Sequence, residues 1–416
     1  MDCGLDDYRW LTGESAAGWL KELVESSEVG PQTVSRDRQN MSPERASLLI
    51  EQAALRRRAR HKFRQADDMF FTRRSLEQAT DEWLGLYKAH QFRRVATGAL
   101  MDMCCGIGGD LIPLTSGERQ VHGCDRDPVM VHLATANLAI HQRRNATVTC
   151  GNVEQLDLGN YAGWHVDPDR RPSEQRTTDL RWHEPSTDAI NRWRARCPHG
   201  LVKLAPACVG FDPWQEDAEL EWVGNRRECK QLLVRFGQLA EHVGRRRATC
   251  LEAPVTSSDR DPSAAAPTAE SFVGLAGESV STVAAWKRYL WDPHSTILAA
   301  DLVGSFAAQY AAQRTAPGCV YLTSDQHYAG NLAASFEILA HLPYHEKKLR
   351  RTLQQNGWEV TEVKQRGTRH DPARLMKQLR RPRHAPVTLV IARTGAEIRA
   401  IITRRVTSLS SPGVIQ

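Results

Sequence analysis

One stretch constrains this chain more than any other: LMDMCCGIGGD, residues 100–110, where an apolar run ends in three glycines within four positions. Gly106, Gly108 and Gly109 permit positive φ and present no side chain, so a ligand can approach the backbone at the carboxyl end of the preceding strand. From Gly98 onward, short apolar runs at 99–103, 121–123, 146–150, 164–166, 201–204, 219–223 and 247–251 are separated by Gly, Asp and Pro and alternate with helical segments. That alternation predicts a parallel α/β sheet. Asp125 follows Gly106 by 19 residues, at the end of the next strand. Nucleotide-binding α/β folds place a carboxylate there, about 20 residues on, to accept hydrogen bonds from both ribose hydroxyls.

The loop also bears on which nucleotide it takes. A dinucleotide site needs GxGxxG, so that a pyrophosphate can sit on a helix N-terminus, whereas here GIGGD puts Asp110 in that place. A carboxylate repels phosphate but favours a sulfonium and an ammonium, the two cations of S-adenosylmethionine. Asp102, inside the strand end, adds another carboxylate suited to the amino group. A nicotinamide-dependent oxidoreductase is disfavoured on the same ground.

Elsewhere the chain reads as ordinary globular sequence. With 416 residues, 41% hydrophobic and 25% charged, it has the length for two to four domains. Ser42 before Pro43 is a helix start, and Leu48, Gln52, Leu55, Ala59 and Phe63 then recur at helical spacing. A second helix is expected from Thr72 through Leu76, Ala79, Trp83, Leu84 and Tyr87, so that 1–95 forms a helical N-terminal region. Residues 96–256 hold the sheet, 257–270 (SSDRDPSAAAPTAE) read as linker or loop, and 271–330 as a connecting segment. The final 409–416 read as a disordered tail.

Taken together, DMCCGIGGD and CDRDP resemble motifs one and two of class I S-adenosylmethionine-dependent methyltransferases, and the Cys-Gly-x-Gly-Gly core is similar to that of trimethylguanosine synthases. A bacterial family of such methyltransferases with a C-terminal THUMP-like domain is matched more closely. Its features stand here as Lys62-Phe63, FFTRRSLEQAT (70–80), DPDRRP (167–172), VKLAP (202–206), YLWDPHSTI (289–297), LPYHEKKLRRTL and VKQRGTRHDPARLMKQL, covering about 42–405 in order. The sequence departs from that family at Asp169, usually a small residue, and at Trp291, usually Glu. The fold this implies is a Rossmann-like class I sheet with a helical N-terminal region and a C-terminal α/β THUMP-like domain at 331–408.

The resemblance also assigns roles. Asp102, Cys104, Gly106, Gly108, Gly109, Asp110 and Asp125 would bind the cofactor, Asn152 would meet the adenine, and Gln78 with Glu77 would close over the methionine end. Asp167 would be catalytic, holding an acceptor amino group and stabilising charge as it develops. Arg170 and Arg171 would grip phosphate, and Lys203 would face the substrate. No cysteine lies within DPDRRP, and Cys208 lacks a Pro-Cys context, which argues against C5-cytosine chemistry.

Charge distribution indicates the partner. Net charge is +6, yet 45–64 and 361–383 each carry an excess of six positive charges, which leaves the remainder negative. The second patch, including Lys364, Arg366 and Arg369, falls in the THUMP-like segment, and THUMP domains are associated with RNA. The expectation is therefore an enzyme acting on a base nitrogen of structured RNA, ribosomal or transfer RNA, with Trp214 and Trp222 as stacking candidates. The competing readings are a non-catalytic RNA-binding or assembly factor that keeps the cofactor pocket, and a methyltransferase for protein or small molecules. His61, His90 and His370 lack ligand spacing, so no metal is expected. The acidic N-terminus, the absence of an 18-residue apolar run and ten scattered cysteines read as a cytoplasmic protein with no membrane segment.

Overall fold

A computed structural model describes residues 3–25, 41–169, 177–252, 267–379 and 385–406. Seven early strands are β1 (Leu100–Met103), β2 (Val121–Asp125), β3 (Ala146–Cys150), β4 (Gly163–Val166), β5 (Gly200–Leu204), β6 (Glu219–Asn225) and β7 (Glu228–Arg235). With β8 (Arg246–Glu252) and β9 (Thr268–Gly274) they form a nine-stranded sheet in the order β3-β2-β1-β4-β5-β7-β6-β8-β9. Strands β1 to β5 pair in parallel, and β7 runs antiparallel to β5. Every residue of β1, β4 and β5 is buried, so these strands show no polar–apolar alternation; each is apolar apart from one buried polar residue, Asp102, His165 and Lys203 in turn. The chain steps outward from β1 to β3 and then returns to β4, so the crevice at the carboxyl ends of β1 and β4 is a topological switch point. β7 was not expected from the sequence, because its first half, Glu228 to Lys230, is not buried and the run begins polar.

Two compact units divide the chain: Met1–Leu220 with Gln231–Gly244 and Leu251–Thr268, and Glu221–Lys230 with Arg245–Cys250 and Ala269–Gln416. In the first, helices Leu5–Leu11, Glu14–Glu25 and Pro43–Ala59 share a core of Leu11, Leu20, Leu23, Leu48, Leu49 and Ala53. Ser42 caps the third of these, its hydroxyl accepting from Arg45 N at 3.3 Å. The single helix expected from Thr72 to Tyr87 is instead two, Arg73–Gln78 and Glu82–Gln91. Ala79 turns out of the helix at ψ 135°, and Asp81 starts the next one by accepting from Leu84 N at 3.0 Å. The Lys62 ammonium holds the broken end, donating to the carbonyls of Leu76 (2.7 Å), Glu77 (3.3 Å) and Ala79 (3.0 Å).

In the second unit, β10 (Tyr289–Pro293), β11 (Leu322–Ser324), β12 (Ala333–Pro343), β13 (Trp358–Arg366), β14 (Ala385–Thr394) and β15 (Glu397–Arg405) form a sheet ordered β11-β10-β12-β15-β14-β13. Helices Glu346–Gln355 and Pro372–Leu379 set Leu349, Leu353, Leu375 and Leu379 on one face, against Leu389, Ile391, Ala400 and Ile402. The alternate residues Val390, Ala392 and Ile401 belong to the opposite face with Leu290 and Tyr321. Of the expected linker, 257–266 lies outside the described residues, while Thr268 to Glu270 open β9. The tail 409–416 also lies outside the described residues.

Candidate active site at the ends of strands one and four

The glycine loop leaves β1 through Cys104 (φ +59°), Gly106 (φ +53°) and Gly108 (φ +90°). Asp125, at the end of β2, ties it down: one carboxylate oxygen accepts from Gly106 N at 2.9 Å and the other from Asp127 N at 3.0 Å. Burial raises the Asp125 carboxyl above its ordinary range, against the pull of these two N–H donors. A Cβ built on Gly106 would meet nothing within 4 Å, so the loop faces open space there. A Cβ on Gly109 would lie 3.4 Å from Ala79 Cβ and from Thr80 backbone, so this glycine lets the helix break approach the loop. Asn137 joins the same elements from below, exchanging bonds with Phe70 N (2.8 Å) and Phe70 O (3.1 Å) and donating to Ile107 O (3.0 Å).

Beneath the loop, a row of buried polar groups crosses the sheet. Asp102 pairs with His165 in the β1–β4 register, and the His165 Nδ1 lies 2.7 Å from Asp102 Oδ1. Two residues along, Asp167 carries an ion pair with Lys203 of β5, whose ammonium also donates to Gln78 O at 3.3 Å. From above, Lys88 sits 2.5 Å from Asp110 Oδ1, Thr80 donates to Asp110 Oδ2 at 2.8 Å, and Gln231 of β7 donates to Thr80 Oγ1 at 3.2 Å. Burial would raise the Asp110 carboxyl, but Lys88, supported by His165 and Lys203, holds it far below the usual carboxylate range. Asp102 lacks a lysine of its own; burial raises its carboxyl despite His165, and its Oδ2 has no hydrogen-bond partner. Burial likewise pushes the thiols of Cys104 and Cys105 well up.

The loop residues, Asp102, Asp125, Gln78 and Asp167 thus gather where the sequence places them, but four expectations change. Asp110 is not a bare carboxylate facing a ligand, because Lys88 neutralises it. Lys203 is spent on Asp167 and Gln78 and is nine-tenths buried, so it does not reach outward for phosphate. Lys364 and Arg366 both turn onto Asp292, Arg366 at 3.2 Å, while Arg369 is exposed. Asn152 is exposed, and its Oδ1 accepts from Glu154 N at 3.0 Å. Arg170 and Arg171 lie outside the described residues. Asp169 forms a 2.7 Å bond with Arg74. Trp214 and Trp222 are each 2% exposed and belong to the core.

Most of the basic cluster at 56–64 is structural as well. Arg56 is buried and donates to Met69 O and Asp68 O, and its guanidinium is pulled down to about 10 by desolvation. Arg60 grips Asp67 with two bonds, Arg64 holds Glu82, and Lys62 caps the helix break. His165, Lys88, Thr80 and Asn137 were missed by sequence reasoning. A signal existed for Lys88, which falls on the buried stripe of its helix four residues after Leu84 and three before Gln91.

Comparison with known proteins gives the same picture. A family profile described as THUMP domain-like matches residues 333–405. Two curated proteins, from two strains of Mycobacterium tuberculosis, are 28% identical over 367 residues, which is 85% of this chain and 94% of theirs. Each is described as an uncharacterized S-adenosylmethionine-dependent methyltransferase. A crystal structure from Porphyromonas gingivalis W83, whose assignment as a methyltransferase is itself provisional, covers 98% of this chain and all of its own at TM-score 0.73 and 19% identity, a likeness of fold. Among the described residues no helix is long and apolar enough to cross a membrane. With the strand order, the loop and these relatives in view, the chain is a homologue of the bacterial S-adenosylmethionine-dependent methyltransferases and carries a C-terminal THUMP-like domain.

Proposed function

We propose that this protein transfers the methyl group of S-adenosylmethionine to a base nitrogen of structured RNA, ribosomal or transfer RNA. The observation that carries the cofactor half is the strand order β3-β2-β1-β4-β5-β7-β6 with β7 antiparallel to β5, joined to the Asp125–Gly106 bond at the switch point. Dinucleotide-binding sheets run 3-2-1-4-5-6 instead. This supports S-adenosylmethionine over a nicotinamide cofactor after the Asp110 argument has lost its force.

The residues present fit such a ligand. Asp125 offers carboxylate oxygens for ribose hydroxyls, Gly106 leaves open space beside them, and the unpartnered Asp102 Oδ2 is a spare polar atom beneath the loop. Asn152, whose oxygen is used locally, keeps its amide nitrogen for the adenine. When bound, the cofactor supplies a methyl group on a sulfonium. The protein's contribution is to align an acceptor with it and exclude water. Asp167, one-third exposed and steadied by Lys203, would accept a hydrogen bond from an amino N–H and take its proton as the new N–C bond forms and the methyl–sulfur bond breaks, the sulfur leaving as a neutral thioether.

Calorimetric titration of S-adenosylhomocysteine, with NAD as control, tests the cofactor. Wild type should bind the former only, and Asp125→Ala should lose about 100-fold or more, since charge-assisted hydrogen bonds contribute about 1.5–3 kcal/mol each. Labelled-methyl transfer onto competing RNA, protein and metabolite fractions tests the acceptor. Tight cofactor binding with no transfer to any fraction would support the assembly-factor reading.

A further inference from the structure

We infer that the outward face of the two helices Glu346–Gln355 and Pro372–Leu379 is the surface that holds the phosphate backbone of RNA, in place of the Lys364 and Arg366 side chains on β13. The inference rests on the RNA reading above and deepens it by naming the surface. Both helices pack their leucines on one side of the six-stranded sheet, so their polar sides point the same way. Lys347, Lys348, Arg350, Arg351, Arg374 and Lys377 are all exposed there.

Much of the other charge of this unit is paired. Arg227 and Arg405 share Glu362, Arg288 meets Glu337, Arg399 meets Glu397, and Lys364 and Arg366 close on Asp292. On the helix face the one ion pair among the described residues is Arg350 with Glu346, at 3.6 Å. The first helix moreover stacks like charges: Lys347 with Arg350, Lys348 with Arg351 and Lys347 with Arg351 stand three or four residues apart, where equal charges oppose the helix. Lys347 and Lys348 also lie in its first turn, against the positive end of the backbone dipole. Both arrangements weaken the free helix, and both costs are relieved when a polyanion lies across the face.

RNA fits this face better than a lipid surface. The large exposed apolar side chains, Trp182, Val209, Val243, Leu275 and Tyr310, all lie off these helices, so nothing there would insert into a bilayer. Mixed arginine and lysine suits phosphate oxygens, arginine through its fork and lysine as a point charge.

The test uses the full chain and fluorescence-labelled bulk transfer RNA and a synthetic RNA hairpin, titrated at several salt concentrations. Replacing Lys347, Lys348, Arg350 and Arg351 together by alanine should weaken binding about 10-fold or more near physiological salt and flatten the slope of log Kd against log salt by about 2 to 3. Arg58→Ala, an exposed arginine of the other unit, should leave the slope unchanged. Parallel titration with S-adenosylhomocysteine reports on the fold and on the methyltransferase reading separately: binding of RNA that depends on this face without binding of the cofactor product would sink that reading and leave this one standing. An unchanged slope in the fourfold variant overturns the inference, as does equal capture by phosphatidylserine vesicles.

Discussion

Lys88→Met should be among the most damaging single changes in the chain. The substitution keeps the length of the side chain and removes the ammonium that lies 2.5 Å from Asp110, in a pair whose side chains are 2% and 10% exposed. Asp110 then keeps the Thr80 hydroxyl, at 2.8 Å, and the more distant His165 ring, at 3.9 Å. Breaking a buried pair by deleting one partner costs about 3–5 kcal/mol, because the remaining charge is left uncompensated. At about 2–4 °C per kcal/mol for a unit of this size, the thermal midpoint should fall by about 6–20 °C. The sign with pH is distinctive. In wild type the depressed Asp110 carboxyl contributes stability above its unfolded pKa and loses it only as pH falls through the folded value. In the variant only His165 and Lys203 still oppose burial, so the carboxyl rises from its depressed wild-type position and takes up its proton at a higher pH than in wild type. The gap between the two proteins should therefore narrow as pH falls. Adding Asp110→Asn to Lys88→Met should recover most of the loss, and the double-mutant cycle gives the coupling. Scanning calorimetry of the four proteins is the measurement. A Lys88→Met midpoint within 2 °C of wild type, or a double variant no better than the single one, would refute the argument.

Other expectations follow from the same geometry. Gly106→Ala places a methyl in open space at φ +53°, so it should cost about 1–2 kcal/mol for the left-handed backbone while abolishing S-adenosylhomocysteine binding; equal loss of both would mean the loop is merely structural. Gly200→Ala is the contrasting case, with a Cβ 2.0 Å from Trp164 Cζ2, and should fail to give soluble protein in expression trials. Lys62→Met frees three carbonyls at the end of Arg73–Gln78, and should raise KM for S-adenosylmethionine several-fold with a stability loss of about 1–3 kcal/mol in urea unfolding.

Much of the sheet was legible because its signals are local. Short runs of apolar and β-branched residues between turn residues mark β1 through β5, which fall within a residue or two of the expected positions, and Ser42 with Pro43 announces its helix without any tertiary information. The glycines and Asp125 were legible for a related reason: a loop that a ligand approaches needs special backbone, and special backbone needs glycine. What stayed hidden depends on partners distant in sequence. Nothing near Arg56 states that its guanidinium folds back on Met69, and nothing near Lys364 names Asp292, 72 residues away. A run of cations was therefore read as one patch when its members were already spoken for. The helix break at Ala79 was hidden differently, since Leu76, Ala79 and Trp83 keep helical spacing across it and the break is stabilised by Lys62 and Asp81 rather than by glycine or proline.

The pairing of Lys88 with Asp110 also bears on how this protein can be cut or recombined. The lysine comes from the helical region that precedes the sheet, and its carboxylate partner closes the glycine loop. A shortened chain that begins just before β1, the natural starting point for someone transplanting the catalytic half, would contain every glycine and every acid of the motif yet lack the cation that makes Asp110 tolerable in the interior. Such a fragment would carry a stranded charge under its own glycine loop. Shuffling the first 95 residues against another homologue's sheet is safe only where the donor brings its own cation to that spot. The helical region and the sheet are in this respect one inheritable module, sealed by a bond that neither half can make alone.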